Sequence, residues 1–296
     1  MPKDINPFEI AAEMLAKGND IAKDRPTKPR HAPGARVVRS IFLSDIHLGS
    51  NSCRADEVMA FLQTHAADTI YLVGDIFDVW RPMGANWKPS HHAVLELLLQ
   101  RAHDGVRIVY TPGNHDAFFR RYFGHYFKAI EVADYVYHTT ADGKKMLVIH
   151  GDTCDVFERR APVLSKIGAH CESVMLAFQM LVNRGLANAG YKDWAGMDYV
   201  LGQVNHVLRG QDMFQKRLTD LAVEHAADGI ICGHFHQPAL HSDHGVVYAN
   251  CGDWTENCSA LVENMSGQLS LVEWGIQRQG ARKAAPMVDQ PVTARA

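Results

Sequence analysis

Short apolar runs alternate with amphipathic segments along the first half of the chain. Residues 36–43, 69–73 and 106–111 have the length and composition of buried strands. Residues 56–66 and 91–103 place their apolar side chains at helical spacing. Because strands that alternate with helices form parallel sheets through crossover connections, this half predicts an α/β fold with a largely parallel sheet.

The pattern changes in the middle of the chain. Residues 117–128 have helical character, and strands are predicted at 135–139 and 145–149. The pair Asp142-Gly143 between these two strands is typical of a tight turn. A short hairpin is therefore expected at this point.

A long apolar segment follows the hairpin. Residues 162–184 have the length of a helix that is apolar around more than one face, and a second helical stretch covers 197–209. Two helices inserted between strands suggest that residues 153–209 form a helical cap over the strand ends. An ordinary pair of core helices is the alternative.

The last third of the chain predicts one helix, at 211–226, and a series of short strands. The strands are expected at 229–232, 239–241, 246–250, 258–262 and 269–274, with a hairpin loop at 264–267. Their spacing favours antiparallel pairing. Taken together, the elements predict two packed mixed β-sheets flanked by helices.

Three regions are expected along the chain. Residues 1–35, broken by prolines, predict an N-terminal extension and linker, either loosely docked or carrying a helix that binds a partner. Residues 36–275 form the main domain, with the cap inserted in it. Residues 276–296, rich in Ala, Arg, Gln and Pro, have the composition of a disordered tail.

Composition narrows the class of protein. The 296 residues are 47% hydrophobic, which is enough for a large core, and the formal net charge of −3 lacks the basic excess of nucleic-acid-binding proteins. No apolar run reaches the ~18 residues of a membrane span. The six cysteines form no CxxC pair, which is typical of reduced thiols. We therefore expect a cytoplasmic protein, with contact at the inner membrane surface left open and no nucleic-acid partner.

Residues of metal-ligand type follow five of the predicted strands. The central one is Gly74-Asp75, where Gly74 allows a sharp turn and Asp75 stands at the carboxyl end of a strand, the edge at which open α/β sheets bind ligands. A single Asp after Gly is also an ordinary turn residue. The nine candidate side chains at these strand ends are Asp45, His47, Asp75, Asp78, Asn114, His115, His150, His234 and His236.

The donor types of this set favour a particular chemistry. Imidazole, carboxylate and amide donors without a thiolate suit Mn, Fe, Co, Ni or Zn. Seven or eight ligands exceed what one ion needs, so two ions that share one carboxylate are expected. Such sites, with ions ~3.5–4 Å apart, promote in-line displacement at phosphorus.

The five motifs occur in the order Asp-x-His, Gly-Asp-x-x-Asp, Gly-Asn-His-Asp, His-Gly-Asp and Gly-His-x-His. In this the chain resembles the calcineurin-like metallophosphoesterases over residues 38–275. The resemblance implies an αββα sandwich and a pair of divalent transition metal ions, with Mn expected first and Fe, Zn, Co or Ni possible. It also implies that a metal-bound hydroxide attacks phosphorus.

The resemblance further implies a role for each motif residue. The first ion would be held by Asp45, His47 and His236, the second by Asn114, His150 and His234, and Asp75 would bridge them. His115 would stabilise the phosphoryl oxygens or protonate the leaving group. Asp78 would orient His115. Asp152 would either hydrogen-bond to a metal ligand without binding metal itself, or cap a helix or turn.

Within the family the chain looks most like the UDP-2,3-diacylglucosamine diphosphatases. Residues 44–49, 74–80, 150–152 and 250–254 carry this likeness. Those enzymes cleave a pyrophosphate in lipid A assembly to give a lipid sugar phosphate and UMP, and their helical cap holds acyl chains. This chain departs from the best-known of them by carrying His115 where they have Arg.

Five cations are near enough in sequence to the motifs to bind substrate phosphates, although most surface cations are simply solvated. They are Arg81, Arg159, Arg160, Arg184 and Lys192. The expected partner is therefore a lipid-nucleotide or other small-molecule substrate.

Two alternatives accompany this hypothesis. One is a phosphodiesterase or phosphatase that acts on another small or amphipathic phosphoester. The other is a binding scaffold without activity, which would be expected to have lost ligands, whereas all seven positions and His115 are filled here.

Overall fold

The structure is a computed structural model that describes residues 29, 31, 34–80, 86–122, 126–127, 130–154 and 211–274. Most of the predicted N-terminal extension, most of the predicted cap and the predicted tail lie outside the described residues. So do the five cations proposed for phosphate binding. The chain divides into two compact units, one of Met1–Gly151 with Thr219–Ala296 and the other of Asp152–Leu218. The domain boundaries given above stay a prediction.

The described part contains three α-helices and two short 3₁₀ helices. The α-helices are α1 (Ala55–Thr64), α2 (Pro89–His103) and α3 (Gln211–Glu224), and the 3₁₀ helices are Ala117–Tyr122 and Asp152–Cys154. No helix in this part of the chain is both long and apolar enough to cross a membrane.

The described strands are numbered in chain order. They are β1 (Arg36–Leu43), β2 (His65–Leu72), β3 (Arg107–Tyr110), β4 (Tyr126–Phe127), β5 (Ile130–Val132), β6 (Val136–Thr139), β7 (Lys145–Val148), β8 (Gly229–Cys232), β9 (Ala239–His241), β10 (Val247–Asn250), β11 (Ser259–Glu263) and β12 (Leu269–Glu273).

The strands form two mixed sheets. A seven-stranded sheet has the order β12-β11-β1-β2-β3-β5-β4, and a five-stranded sheet has the order β6-β7-β8-β10-β9. Strands β1, β2, β3 and β5 run parallel, and so do β7, β8 and β10. The carboxyl ends of the central strands of each sheet therefore present their loops at one edge of that sheet.

Alternation along the strands explains the layers. In β1, Ile41 and Leu43 join a core that includes Phe61 of α1 and Leu98 of α2. Phe42, between them, joins a second core that includes residues of both sheets. Because successive side chains point to opposite faces of a strand, one face of the large sheet packs on helices and the other on the small sheet. The predicted α/β fold with two packed mixed sheets is confirmed.

Several local predictions are also confirmed, and three are wrong. The Asp142-Gly143 turn joins the antiparallel strands β6 and β7, with Gly143 at a φ of 92°. The predicted helix 56–66 ends at Thr64, because the parallel ladder with β1 already begins at the pair Arg36–His65. Strand pairing outweighs the helical preference of the alanines that follow.

The other two errors concern pairing partners. The helix predicted at 117–128 is a 3₁₀ helix that ends at Tyr122, and Tyr126–Phe127 instead pairs with β5. The antiparallel arrangement predicted for the last third holds for β9 with β10 and for β11 with β12. It is wrong for β8, which lies parallel to both of its neighbours. Only contacts distant in sequence distinguish these cases.

Candidate metal centre

Two motif loops lie side by side because the ladder between β1 and β2 continues beyond the strand ends. The backbone N–H of Asp45 donates to the carbonyl of Gly74 at 3.0 Å, and that of His47 donates to the carbonyl of Asp75 at 2.9 Å. Further along, the N–H of Asp78 donates to the carbonyl of Leu48 at 2.9 Å. The carboxylates of both loops are therefore fixed by backbone pairing.

Five of the candidate ligands adopt a backbone conformation that is rare for residues with a side chain. Their φ angles are positive, at 52° for Asp45, 54° for His47, 52° for Asp75, 71° for His234 and 55° for His236. Each such residue costs about 1 kcal/mol or more, and this strain is characteristic of functional sites.

Glycines leave room for the ligand side chains. A Cβ on Gly74 or Gly113 would overlap the imidazole of His150, and a Cβ on Gly233 would lie 2.5 Å from Oδ2 of Asp45. The glycine of three motifs is thus needed because a ligand from another motif passes over it.

The first cluster of ligand atoms is formed by Asp45, His47 and His236. Oδ1 of Asp45 lies 3.3 Å from Nε2 of His236 and 4.0 Å from Nε2 of His47, and the two Nε2 atoms are 3.4 Å apart. Ligands bound about 2.0–2.2 Å from one ion lie about 3–4.4 Å from each other. These three atoms therefore have the spacing of ligands to one metal ion.

The second cluster contains Asp75, Asn114, His150 and His234. Nε2 of His150 lies 3.3 Å from Oδ1 of Asn114 and 3.4 Å from Oδ2 of Asp75. His234 offers a ring nitrogen within 4.8 Å of the ligand atoms of Asp75 and His150. Nδ1 of His150 lies 2.9 Å from the carbonyl of Val73, to which it donates, so Nε2 is left with its lone pair toward the cluster.

A metal ion fits the first cluster on the evidence of a buried oxygen. Asp45 is fully buried, and among the described residues its Oδ1 makes no hydrogen bond of good geometry, with the Nε2 of His236 the near neighbour at 3.3 Å. Its Oδ2 accepts the backbone N–H of His234 at 3.0 Å. A buried carboxylate oxygen is seldom left without a partner, and a cation bound between Asp45, His47 and His236 would supply one.

The charges of the site support the same interpretation. Burial would raise the pKa of Asp75, but the surrounding imidazoles, His150 first, hold it well below its usual value. Burial would raise the pKa of Asp45 too, but His236 and His150 together lower it below its usual value. Burial and neighbouring His115 lower the pKa of His47 to about 4. The carboxylates are therefore ionised and His47 is neutral near pH 7, which are the forms that bind metal.

His115 is held beside the two clusters. Its Nδ1 lies 3.2 Å from Oδ1 of Asp78, and its backbone N–H donates to Oδ1 of Asp75 at 2.8 Å. Burial lowers the pKa of His115, but the carboxylates of Asp75 and Asp78 more than compensate, so the net shift is upward. A protonated imidazole next to the metal ligands is able to donate a proton or neutralise an anion.

Sequence reasoning named the residues of the motifs and missed three that hold them in place. Asp116 is buried and accepts the N–H groups of Ile76 at 2.7 Å and Gly113 at 2.6 Å, which ties two motif loops together. Burial, reinforced by Asp75, raises the pKa of Asp116 to about 6. Asp116 is the last residue of the Gly-Asn-His-Asp motif, so the sequence indicated that it lies near the site but did not predict that it joins two loops.

The other two residues that were missed are Asp253 and Trp80. Asp253 accepts backbone N–H groups in the turn that leads to Asn257, whose Nδ2 donates to the carbonyl of His236 at 2.6 Å. The segment around Asp253 was noted only for its likeness to one branch of the family. Trp80 stacks on His115 with ring centroids 3.8 Å apart, and no sequence signal pointed to this contact.

Asp152 is the remaining described residue for which the sequence suggested a role. Asp152, the last residue of the His-Gly-Asp motif, is buried at the start of the second 3₁₀ helix. The structure therefore brings together all seven expected ligands, His115 and Asp78.

The family model for Calcineurin-like phosphoesterase matches residues 38–238. "UDP-2,3-diacylglucosamine hydrolase" from Blochmanniella floridana is 24% identical over 251 residues, which cover 81% of this chain and 99% of that protein. The protein of the same name from Aeromonas salmonicida is 29% identical over 240 residues, covering 76% and 89%.

Among solved structures, Vacuolar Protein Sorting 29 from Cryptosporidium parvum aligns with 85% of this chain and 97% of that chain, at 11% identity and a TM-score of 0.41. The family model covers more than half of the chain and contains all nine motif residues of the site. The chain belongs to the calcineurin-like phosphoesterase family and is a metal-dependent hydrolase of phosphate esters.

Proposed function

We propose that the protein hydrolyses the pyrophosphate of a UDP-linked acylated sugar, of the UDP-2,3-diacylglucosamine type, to a lipid sugar phosphate and UMP. The observation that carries this proposal is the similarity to relatives of that name, which extends over most of their length and most of this chain. At 22–30% identity the relatives support a substrate class.

We propose that two divalent ions, with Mn expected first, occupy the two clusters. Asp45, His47 and His236 would hold one ion, and Asn114, His150 and His234 would hold the other, with Asp75 between them. When bound, such ions act as Lewis acids toward the phosphoryl oxygens and activate water near neutral pH. Fe, Zn, Co and Ni share this preference for N and O ligands.

His115 and Asp78 supply the acid-base part of the reaction in this proposal. His115, with its raised pKa, would donate a proton to the leaving group or stabilise charge on the phosphoryl oxygens. Asp78 would fix the ring through Nδ1, which leaves Nε2 to face the substrate. Both side chains are already held in place by the backbone contacts of their loops.

The remaining parts of the substrate would be bound outside the described residues. Arg81, Arg159, Arg160, Arg184 and Lys192 are proposed as phosphate ligands, of which we expect one or two to act. The cysteine pattern supports a cytoplasmic location, and an acylated substrate would bring the protein into peripheral contact with the inner membrane face.

A second function is favoured by one residue. Those diphosphatases that are best known carry Arg where this chain has His115, the residue that most other members of the family use. A phosphodiesterase or phosphatase acting on another small or amphipathic phosphoester is therefore the alternative, and an inactive binding scaffold is the least supported reading because the ligand set is complete.

The test compares two substrates in the presence of Mn²⁺. We expect the protein to hydrolyse UDP-2,3-diacylglucosamine as well as bis-p-nitrophenyl phosphate, and expect Asp75→Asn to abolish both activities. Asp142→Asn, which changes an exposed carboxylate in the β6–β7 turn, is the matched control and should retain both. Hydrolysis of the diester alone would favour the second function. No turnover with any of the five metals would favour the scaffold.

A further inference from the structure

Trp80 makes two contacts that converge on the same loop. Its indole ring stacks on the imidazole of His115, with the centroids 3.8 Å apart and the planes 20° from parallel. Its Nε1 donates to the backbone carbonyl of Asn114 at 3.0 Å. One side chain thus touches both the ring of His115 and the peptide that precedes it.

The contacts of His115 with Asp78 and His47 still allow its imidazole ring to rotate, and the indole of Trp80 restricts that rotation. Asp78 holds the ring at Nδ1, where the distance to its Oδ1 is 3.2 Å, and a hydrogen bond at one ring nitrogen allows the imidazole to pivot about that bond. His47 meets the ring edge to face, at 4.6 Å and 87°. A planar partner stacked at van der Waals distance resists the pivot, since rotation of the imidazole would drive its edge into the indole.

The orientation of the His115 ring is important because it sets the position of Nε2, the nitrogen that would transfer a proton. Nδ1 is occupied by Asp78, so Nε2 is the nitrogen available to a reacting group. Proton transfer requires the two heavy atoms to be about 2.6–3.2 Å apart and aligned, and a displacement of about 1 Å is able to lower a rate about 100-fold.

We propose that Trp80 is a positioning residue for His115, and that the stacked indole and its bond to the carbonyl of Asn114 hold the imidazole in its reactive orientation. This inference rests on the proposed catalytic role of His115. It assigns a role to Trp80, the seventh residue of the segment 74–80, that is independent of which phosphoester the protein hydrolyses.

The experiment is a double-mutant cycle on bis-p-nitrophenyl phosphate with Mn²⁺. Trp80→Leu removes the stack and the donor, and His115→Ala removes the group that is positioned. We expect Trp80→Leu to lower kcat about tenfold with KM changed less than about twofold, because the contact acts in the transition state. In the His115→Ala background, the same change should have almost no further effect on kcat.

Two further variants separate positioning from general packing. Trp80→Phe keeps a stacked ring and should retain kcat within about threefold of the wild type. Trp274 is the matched control because it also contacts aromatic rings, those of Phe61 and His65, and donates from Nε1, to Glu57 at 3.0 Å. Trp274→Leu should leave kcat of the folded protein unchanged. Should Trp80→Leu not fold, Trp80→Met repeats the cycle.

The outcomes distinguish the inference from the function on which it rests. If Trp80→Leu lowered kcat by the same factor with and without His115, the positioning role would be overturned while the proposed function would stand. The same conclusion would follow if Trp274→Leu lowered kcat as much as Trp80→Leu. An unaltered kcat in His115→Ala would overturn the catalytic role proposed for His115 and the inference with it. A wild-type protein that hydrolyses neither the diester nor UDP-2,3-diacylglucosamine would overturn the proposed function and the inference together. Bound Mn measured in each variant shows whether kcat falls through the loss of Asn114 as a ligand, which would also count against the proposal.

Discussion

Titratable side chains are buried in two quite different ways in the described part of the protein. At the metal centre, Asp45, His47 and Asp75 lie in loops beyond the strand ends, with positive φ angles. Between the two sheets, Tyr71, His138 and Glu263 lie within strands, together with Ser40. Both clusters are largely hidden from solvent.

The cluster between the sheets is satisfied by hydrogen bonds. Oε2 of Glu263 accepts from Ser40 Oγ and from His138 Nε2, each at 2.8 Å. Its Oε1 accepts from Arg39 at 2.6 Å and from the N–H of Ala141 at 2.8 Å. Because His138 donates from Nε2, its Nδ1 accepts from the hydroxyl of Tyr71 at 2.9 Å in the neutral form.

The comparison shows what distinguishes a structural polar cluster from a reactive one. Glu263 has a donor at each oxygen, and the network joins β1, β2 and β11 of one sheet to β6 of the other. Asp45 keeps a buried oxygen without a hydrogen bond among the described residues, and its neighbours are strained. A fully satisfied cluster stabilises the fold, whereas an incomplete one is completed by a ligand.

The largest difference is expected from Asp75→Asn. Loss of a shared anionic ligand should lower kcat about 10³-fold or more, since metal-based stabilisation of the transition state is worth several kcal/mol. Glu263→Gln should leave kcat of the folded protein unchanged. Diesterase assays at equal concentrations of folded protein make the comparison, and a similar loss in both variants would abolish the distinction.

His115→Ala should have the next largest effect. Removal of a general acid typically lowers kcat about 10²-fold, while the metal clusters keep all of their ligands. We therefore expect bound Mn, measured by mass spectrometry after gel filtration, to equal that of the wild type. Loss of metal in this variant would place His115 among the ligands.

Added metal should raise the free energy of unfolding through the metal centre, and the inter-sheet cluster around Glu263 should not contribute to this gain. Binding to the folded state at a concentration of 100 times Kd adds about 2.7 kcal/mol to the free energy of unfolding. Thermal unfolding after treatment with EDTA, with and without added Mn²⁺, should show this gain in the wild type and in Glu263→Gln. In Asp75→Asn the gain should be much smaller; equal gains in all three would mean that Mn binds elsewhere.

Glu263→Gln should lower the free energy of unfolding by about 2 kcal/mol, because hydrogen bonds to a buried charged group are lost. Glu131→Gln is the matched control, since Glu131 forms a partly exposed ion pair with Arg107 at 2.6 Å. That change should alter the free energy by about 0.5 kcal/mol or less. Urea unfolding of both variants measures the difference, and equal values would show that the inter-sheet network contributes nothing special.

The smallest effect is a dependence on pH. Burial would raise the pKa of Glu263, but hydrogen bonds from His138 and Ser40 lower it below 4.5. A lowered pKa in the folded state stabilises the fold above the unfolded value and the gain is lost as the pH falls below 4.5. Between about pH 5 and about pH 3 the wild type should therefore lose more stability than Glu263→Gln; equal losses would contradict this.

Much of the site was predictable from the chain because its residues are local to short motifs. Each of Asp45, His47, Asp75 and Asn114 follows an apolar run of strand length, and parallel strands necessarily bring their carboxyl ends to one edge. The glycines of the motifs were equally visible. The reason for these glycines was not predictable, because Gly113 leaves room for the side chain of His150, which is 37 positions away in the sequence.

The cluster between the sheets had no such signal. Ser40 and Glu263 are 223 positions apart and His138 and Glu263 are 125 apart. Each is an unremarkable polar residue in its own strand. Only the register of β1 with β11, which pairs Ser40 with Glu263, and the packing of the sheets place them together.

The sequence by itself determined the kind of elements, the strand-end positions of the ligands and the donor chemistry of the site, because these follow from hydrophobic periodicity and residue type. The tertiary structure alone decided where α1 stops, how β8 pairs, which oxygen of Asp45 is left for a cation, and that Trp80 lies against His115. Those properties depend on contacts between segments far apart in the chain, and local patterns contain no information about which segments meet.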